Sequence, residues 1–269
     1  MHDQPQTWHY GLMAEWWAEF NRDATTEAPY FQACIEQNGQ PALDIGCGNG
    51  RVLLPLLRAG LDVDGIDISP DMLSRCRDAA AEDGYEPNLY WQAIHALDLP
   101  RRYGTIYICD SFGIGGSREQ DEEGLWRCYQ HLAPGGLLVF NHYYPYDDPG
   151  LWNYWLPESR SSLPQPWPET GIRRQSASGD TYELATRIIS FDPLEQRLER
   201  EMRIALYRGD TLVGQEEHRL ANMEYFRHDV LALLQAAGFR DITITAAYSD
   251  TAATVDDTMV MFLARKEPA

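Results

Sequence analysis

Ala42-Leu43-Asp44-Ile45-Gly46-Cys47-Gly48-Asn49-Gly50 is the stretch that decides the fold. A hydrophobic strand runs into a loop with glycine at every second position. Glycine there permits a tight turn and lets a ligand lie against bare backbone. A second strand, Asp62-Val63-Asp64-Gly65-Ile66-Asp67, follows one helix later and ends in a carboxylate 21 residues after Gly46. Neighbouring parallel strands bring such ends side by side, so Asp67 can grip both hydroxyls of a ribose. Together these features announce a nucleoside-type cofactor. The Gly-x-Gly-x-Gly spacing differs from the Gly-x-Gly-x-x-Gly fingerprint of dinucleotide sites.

Strands and helices alternate outward from this loop. Trp8 to Phe20 reads as an aromatic-rich amphipathic helix, and Pro29 opens a further segment ending at Gly39. After Asn49, the residues Val52, Leu53, Leu56 and Leu57 recur at helical spacing as far as Gly60, with Pro55 bending the helix slightly. Ser69-Pro70 caps and opens the next helix. Strands are expected at Leu89–Ile94, Thr105–Cys109 and Leu137–His142, with a helix from Glu119 to Leu132 between the last two. Five strands joined by helices imply right-handed crossovers in a doubly wound α/β sheet, mostly parallel. Residues 143–180 are rich in Pro, Trp, Tyr and Ser and read as a long loop or cover. Tyr182–Phe191, Arg197–Leu206 and Thr211–Leu220 alternate apolar and polar residues as three antiparallel strands. Tyr225–Ala237 is the last helix, and Asp241–Ala246 and Thr258–Arg265 close a seven-stranded sheet. The expected organisation is a helical lid (1–38), a core (39–142 and 221–269), and an antiparallel β insertion between strand 5 and the last helix (143–220).

The composition narrows the partners. The chain has 269 residues, 44 % of them hydrophobic, enough for a large core. With 41 Asp+Glu against 22 Lys+Arg the net charge is −19, a field that repels nucleic-acid backbones and anionic membranes. Lys266 is the single lysine. Five scattered cysteines without a Cys-x-x-Cys pair read as reduced cytosolic thiols rather than a disulfide framework or a zinc site. Met1-His2-Asp3-Gln4-Pro5 has neither a basic segment nor an apolar run, so a signal peptide is not expected and a cytoplasmic location is. The apolar runs have strand length, short of a membrane span.

Ala42–Gly50 together with Asp67 resembles the cofactor motifs of class I S-adenosylmethionine-dependent methyltransferases, which have a Rossmann-like fold. Leu132-Ala133-Pro134-Gly135-Gly136-Leu137-Leu138-Val139 is similar to the family's approach to strand 5, and Thr105–Phe112 fits its strand 4. The resemblance covers about residues 35–142 and 225–265. It implies that the loop Gly46, Cys47 and Gly48 lies against the methionine and ribose parts of S-adenosylmethionine. It also implies that Asp67 binds the ribose, that Asp44 is nearby, and that Ile68 and Met72 flank the adenine. Many relatives carry an acid just after strand 3. Here Ala93 stands in that place, which leaves the backbone of Ala93 and Ile94, or Gln92, to hold the adenine. The insertion and the aromatic N-terminal helix look like small-molecule methyltransferases of natural-product pathways, particularly those acting on amino sugars or secondary amines. In such enzymes the insertion covers the substrate or forms an oligomer interface.

The acceptor side is expected at the ends of strands 4 and 5 and on the N-terminal helix. The resemblance puts an aromatic such as Tyr10 over the methionine end of the cofactor, with Trp17 lining the pocket or packing in the core. Asp110 leaves strand 4, where it could hold a cationic amine or simply form a turn, and Phe112 could wall the methyl path. His142 and Tyr143 leave strand 5, where a base would sit, although His142 can equally be structural. An amine acceptor needs only to lose a proton to solvent, whereas a hydroxyl usually needs a base or a metal. No metal constellation stands out. The expectation is therefore a small-molecule N-methyltransferase. An O-methyltransferase using His142 as base, a nucleotide enzyme of the dehydrogenase type, and a catalytically silent cofactor-binding protein are the alternatives.

Overall fold

The computed structural model describes residues 7–268, so the first six residues of the expected lid lie outside it. In chain order the elements are α1 (Gly11–Phe20), α2 (Glu27–Asn38), β1 (Ala42–Ile45), α3 (Leu53–Arg58), β2 (Val63–Asp67), α4 (Pro70–Glu82), β3 (Leu89–Trp91), β4 (Tyr103–Ile108), α5 (Arg118–His131) and β5 (Leu132–Tyr143). There follow α6 (Pro149–Trp152), α7 (Pro157–Arg160), β6 (Ile172–Gln175), β7 (Thr181–Asp192), β8 (Arg197–Arg208), β9 (Thr211–Met223), α8 (Arg227–Ala236), β10 (Asp241–Ala246) and β11 (Met259–Arg265). They form two compact units.

The core unit comprises residues 23–112, 117–147 and 225–268. Its seven strands run in the order β10-β11-β5-β4-β1-β2-β3. Strands β3, β2, β1, β4 and β5 pair in parallel, whereas β11 is antiparallel to both its neighbours. This is the expected doubly wound sheet. The order reverses between β1 and β4, so the loops leaving these strands open the crevice in which α/β sheets bind ligands. Phe31 of α2 stacks on Tyr107 of β4 with ring centroids 4.8 Å apart, and the pair joins Leu53, Leu56, Leu73 and Val139 in one buried cluster. Phe140 stacks on Phe262 across β5 and β11. Each such side chain contributes roughly 1.5–3 kcal/mol through removal from water. Ser69 caps α4 as expected, its Oγ accepting from Met72 N at 3.1 Å, with Pro70 in the first turn.

Two boundaries differ from expectation for identifiable reasons. Strand β3 stops at Trp91 because the Gln92 side chain exchanges two hydrogen bonds with the Asp98 backbone. That closure turns Ile94–Ala96 into a single 3-10 turn. Strand β5 begins five residues early, at Leu132, because the Pro134-Gly135-Gly136 stretch bulges between two stretches that both pair with β4.

The inserted unit comprises residues 7–22, 113–116 and 148–224. Its four antiparallel strands run in the order β6-β7-β8-β9. The segment expected to be an uninterrupted loop instead holds α6, α7 and the edge strand β6. Met13 of α1 is buried with Tyr182, Met202 and Ile204, and Trp8, Leu12, Trp16, Trp17 and Phe20 surround them. Thus α1 packs on the inserted sheet while α2 belongs to the core, and the unit boundary falls at residue 22 rather than 38. The alternate positions carry cross-strand ion pairs, Arg173–Glu183, Arg187–Glu201 and Arg203–Glu217, at 2.6–2.7 Å. The Trp167 ring lies between Arg187 and Arg203, 4.5 and 4.1 Å from their guanidinium carbons.

Candidate functional site

The glycine loop is shaped by backbone. Gly46, Gly48 and Gly50 all have positive φ, at 73°, 55° and 86°. At Gly46 a Cβ would also sit 2.7 Å from Ser111 Cβ, so no other residue fits. The amides of Gly46 and Cys47 both donate to Ile66 O at 2.9 Å, which fixes the loop to the end of β2. The Cys47 thiol turns inward. Cys76 and burial hold it protonated, and a Cβ on Gly65 would meet it at 2.9 Å. Cys47 can therefore serve a ligand only through its backbone. Met72 is buried, with Cε 3.1 Å from where a Gly48 Cβ would stand, so it floors the loop.

Asp67 completes this arrangement. Its Oδ2 accepts from Gly48 N at 2.9 Å and its Oδ1 from Ser69 N at 2.8 Å. Burial pushes its pKa up to about 6, while the amides of Ser69, Gly48 and Ile68 pull it back down. An ionised carboxylate has roughly four acceptor sites, so each oxygen retains capacity for a ribose hydroxyl. Asp44 is also buried. Burial raises its pKa to about 7; Tyr107 and Arg51 favour the charged form and Asp67 opposes it. The Tyr107 hydroxyl is buried beside Asp44 but short of hydrogen-bond geometry. The positive-φ cradle and the spare acceptor capacity of Asp67 fit the ribose and methionine portions of S-adenosylmethionine.

The expected adenine end is built differently from its sequence reading. Gln92 is consumed by Asp98, leaving the backbone around Ala93 and Ile94, and Ile94 packs against Gly124 of α5. Trp91 escaped the sequence reading. The residue is 68 % exposed, and its Nε1 donates to Ile68 O at 2.9 Å, bracing the residue that follows Asp67. A tryptophan closing a short edge strand was the available signal.

At the exit of β4, Asp110 adopts a left-handed conformation with φ 56°. Its N–H donates to Asn141 Oδ1 at 2.8 Å, and Asn141 Nδ2 donates to its Oδ1 at 2.5 Å. Arg51 Nη2 donates to its Oδ2 at 3.1 Å. Glu27, Cys109 and Asp110 present ligand atoms within 4.8 Å of one another, but the Arg51 guanidinium already bonds all three. Arg51 and Asn141 were not expected here. Phe112 packs on Phe140 at 4.9 Å and on Tyr225 at 5.8 Å between ring centroids.

His142 is buried, and its Nε2 donates to Tyr225 O at 2.8 Å. Burial lowers its pKa, which keeps it neutral. The Tyr225 hydroxyl donates to Asp121 Oδ2 at 2.8 Å, and burial raises the Asp121 pKa to about 7. His142 thus has a fixed structural bond. Tyr143, next in the strand, is half exposed, and burial leads the causes that push its hydroxyl up to about 12. Tyr10, at the N-cap of α1, and Trp17, within α1, belong to the inserted unit. Also in that unit, His218 Nε2 lies 3.1 Å from Glu216, whose Oε2 accepts from Leu12 N at the start of α1.

Comparison with known proteins agrees with this architecture. Residues 42–136 match the family described as "Methyltransferase domain". A provisionally named methyltransferase of Geobacillus sp. (strain WCH70) is 22 % identical over 264 residues, covering 96 % of this chain and 99 % of that protein. The ubiquinone biosynthesis O-methyltransferase of Caulobacter sp. (strain K31) is 30 % identical over 122 residues, so the match spans about half of that relative, 45 % of each protein. Among solved structures, an S-adenosylmethionine-dependent methyltransferase from Clostridium acetobutylicum ATCC 824 superposes with a TM-score of 0.72 at 17 % identity, covering 95 % of this chain and 98 % of that one. The sugar N-methyltransferase KedS8 from Streptoalloteichus sp ATCC 53650 gives 0.69 at 16 % identity and 97 % coverage of both. Residues 42–136 are thus similar to a methyltransferase domain, and the chain shares the fold of these S-adenosylmethionine-dependent methyltransferases. Among the described residues no helix is long and apolar enough to cross a membrane.

Proposed function

We propose that this chain transfers the methyl group of S-adenosylmethionine to an amine nitrogen of a small molecule. The observation that carries the donor is Asp67, whose carboxylate is fixed by Gly48 N and Ser69 N beside a loop that only glycine can form. Asp67 would hold the ribose, the loop Gly46–Gly48 and Asp44 the methionine portion, and Ile68, Met72 and the Ala93–Ile94 backbone the adenine. The bound donor supplies an already activated methyl group, so the chain's own work is to align the acceptor and exclude water. The commitments of Asp110 to Arg51 and Asn141, and of His142 to Tyr225, support nitrogen over oxygen as acceptor. An amine can lose its proton to solvent, whereas a hydroxyl would need one of these groups as base. Acceptor recognition and any contact between copies are assigned to the inserted unit, which carries Tyr10 and Trp17.

The test is binding followed by transfer. Calorimetry should show S-adenosylhomocysteine binding and no binding of NAD; the reverse preference would sink the donor assignment. Methyl transfer from labelled donor is then compared for matched amine and hydroxyl acceptors. Labelling of the hydroxyl set alone would establish O-methylation.

A further inference from the structure

We propose that Arg51 is a positioning residue that, with Asp110 and Ser111, clamps both ends of the glycine loop in the donor-binding shape. This inference rests on the donor assignment above. The loop Gly46–Gly50 is bracketed by Ile45 and Arg51, and both brackets are tied to the same turn at the exit of β4. At the front, Ser111 Oγ donates to Ile45 O at 2.9 Å. At the back, Arg51 Nη2 donates to Asp110 Oδ2 at 3.1 Å and to Cys109 Sγ at 3.4 Å. The other arm of the guanidinium donates to Glu27 Oε1 at 2.6 Å and to Asp23 O at 3.1 Å, anchoring the clamp at the start of α2. The Arg51 and Glu27 side chains are only 12 % and 19 % exposed, so this pair is made largely out of water and is stronger than a surface pair, whereas the Asp110 end of the clamp is more open. A planar guanidinium can serve this many partners at once, whereas a lysine ammonium cannot reach both arms.

The turn being clamped is itself strained. A non-glycine residue at positive φ costs about 1 kcal/mol or more, and Asp110 stays there because Asn141 holds its N–H and one oxygen while Arg51 holds the other. Loss of Arg51 would leave a half-exposed carboxylate without its cation and free the back of the loop. Arg51 follows Gly50 directly, and its guanidinium is spent on Glu27, Asp23 O, Cys109 and Asp110, so it acts on the loop through Gly50 and the turn.

Four variants test this: Arg51→Met, Arg51→Lys, Asp110→Asn and the double variant Arg51→Met/Asp110→Asn. The first readout is hydrogen exchange across residues 46–50 in the ligand-free protein. Arg51→Met should exchange there about tenfold faster than wild type, Arg51→Lys should be intermediate, and the remote strand β11 should not change. The second is S-adenosylhomocysteine binding by calorimetry. Arg51→Met should bind about tenfold more weakly, and the double variant should recover part of the loss because the uncompensated charge is gone. Unchanged exchange across 46–50 in folded Arg51→Met, or strictly additive losses in the double variant, would overturn the clamp. If Arg51→Met does not fold, Arg51→Lys decides by the same exchange readout. Failure of the wild type to bind S-adenosylhomocysteine would refute the donor assignment, while exchange in the ligand-free protein still judges the clamp by itself.

Discussion

Replacing Asp67 by asparagine keeps the volume of the side chain and removes one acceptor oxygen and the charge. In the wild type, Oδ1 faces Ser69 N at 2.8 Å and Oδ2 faces Gly48 N at 2.9 Å. Asparagine can offer its oxygen to only one of these donors, and its NH2 must then meet the other. One backbone amide is left without a partner, at about 1–3 kcal/mol of fold stability. On the binding side, one charge-assisted bond to a ribose hydroxyl is lost, about 1.5–3 kcal/mol, which is roughly 10- to 150-fold in the dissociation constant of S-adenosylhomocysteine. Calorimetry gives that constant directly, and a thermal melt of the same sample shows that the variant is folded. A dissociation constant within about twofold of wild type in a folded variant would refute the ribose role.

The same carboxylate has a pH signature. Its pKa is about 6, raised above the ordinary value of 3.8. Hydroxyl donors favour the charged form, so wild-type affinity should fall as pH drops through about 6, by up to roughly tenfold at about pH 5. Folding has the opposite sign. The folded state binds this proton more tightly than the unfolded chain, so the contribution of Asp67 to stability grows as pH falls from about 6 towards about 4. Wild type should therefore gain melting temperature relative to Asp67→Asn on acidification while losing cofactor affinity. An affinity that stays flat between about pH 7 and 5 contradicts the assignment.

Other residues give sharper stability tests. Asp64 is buried and accepts from Tyr103 Oη at 2.9 Å, Asn88 Nδ2 at 3.0 Å and Arg101 Nη1 at 3.0 Å, so Asp64→Ala should cost about 3–5 kcal/mol in urea unfolding. Gly46→Ala should lose most cofactor affinity by calorimetry, because φ 73° and the approach of Ser111 both exclude a methyl group. His142→Ala should lower the melting temperature, since Tyr225 O loses its donor, and should leave kcat within about threefold. A drop of about a hundredfold or more would instead make His142 the base of an O-transfer.

What could be read from sequence was what is local. Gly46, Gly48, Asp67 and the Ser69-Pro70 cap lie within one strand-turn-helix step of each other, so their spacing carries their geometry. Arg51 was invisible because its partners Glu27 and Asp110 lie 24 and 59 residues away, and an arginine after a glycine loop looks solvated. His142 resembled a base by position; its hydrogen-bond partner is 83 residues distant. By sequence Gln92 offers an amide to the adenine, but in the fold that amide is bonded to the Asp98 backbone, six residues on. Strand β6, Ile172–Gln175, is exposed throughout, so it has no alternating pattern to detect.

The polar groups of the core unit are largely spent on one another, and that bears on how such a site would accelerate transfer. Alignment of two reactants is worth up to roughly 7–11 kcal/mol, whereas a general base supplies about 10²–10⁴-fold, or roughly 3–5 kcal/mol. With an activated methyl donor and an amine acceptor, the larger contribution requires rigid positioning and no additional proton acceptor. Rigid positioning is what the bonds at the ends of β1, β2 and β4 provide: Ile66 O holds two loop amides, Asp67 holds a third, and Arg51 and Ser111 secure the two ends. A loop already ordered before the donor arrives does not pay its ordering entropy on binding. Weakening any of these internal bonds should therefore reduce donor affinity before it changes the chemical step, whereas substitutions that act on kcat alone should map to residues of the acceptor side.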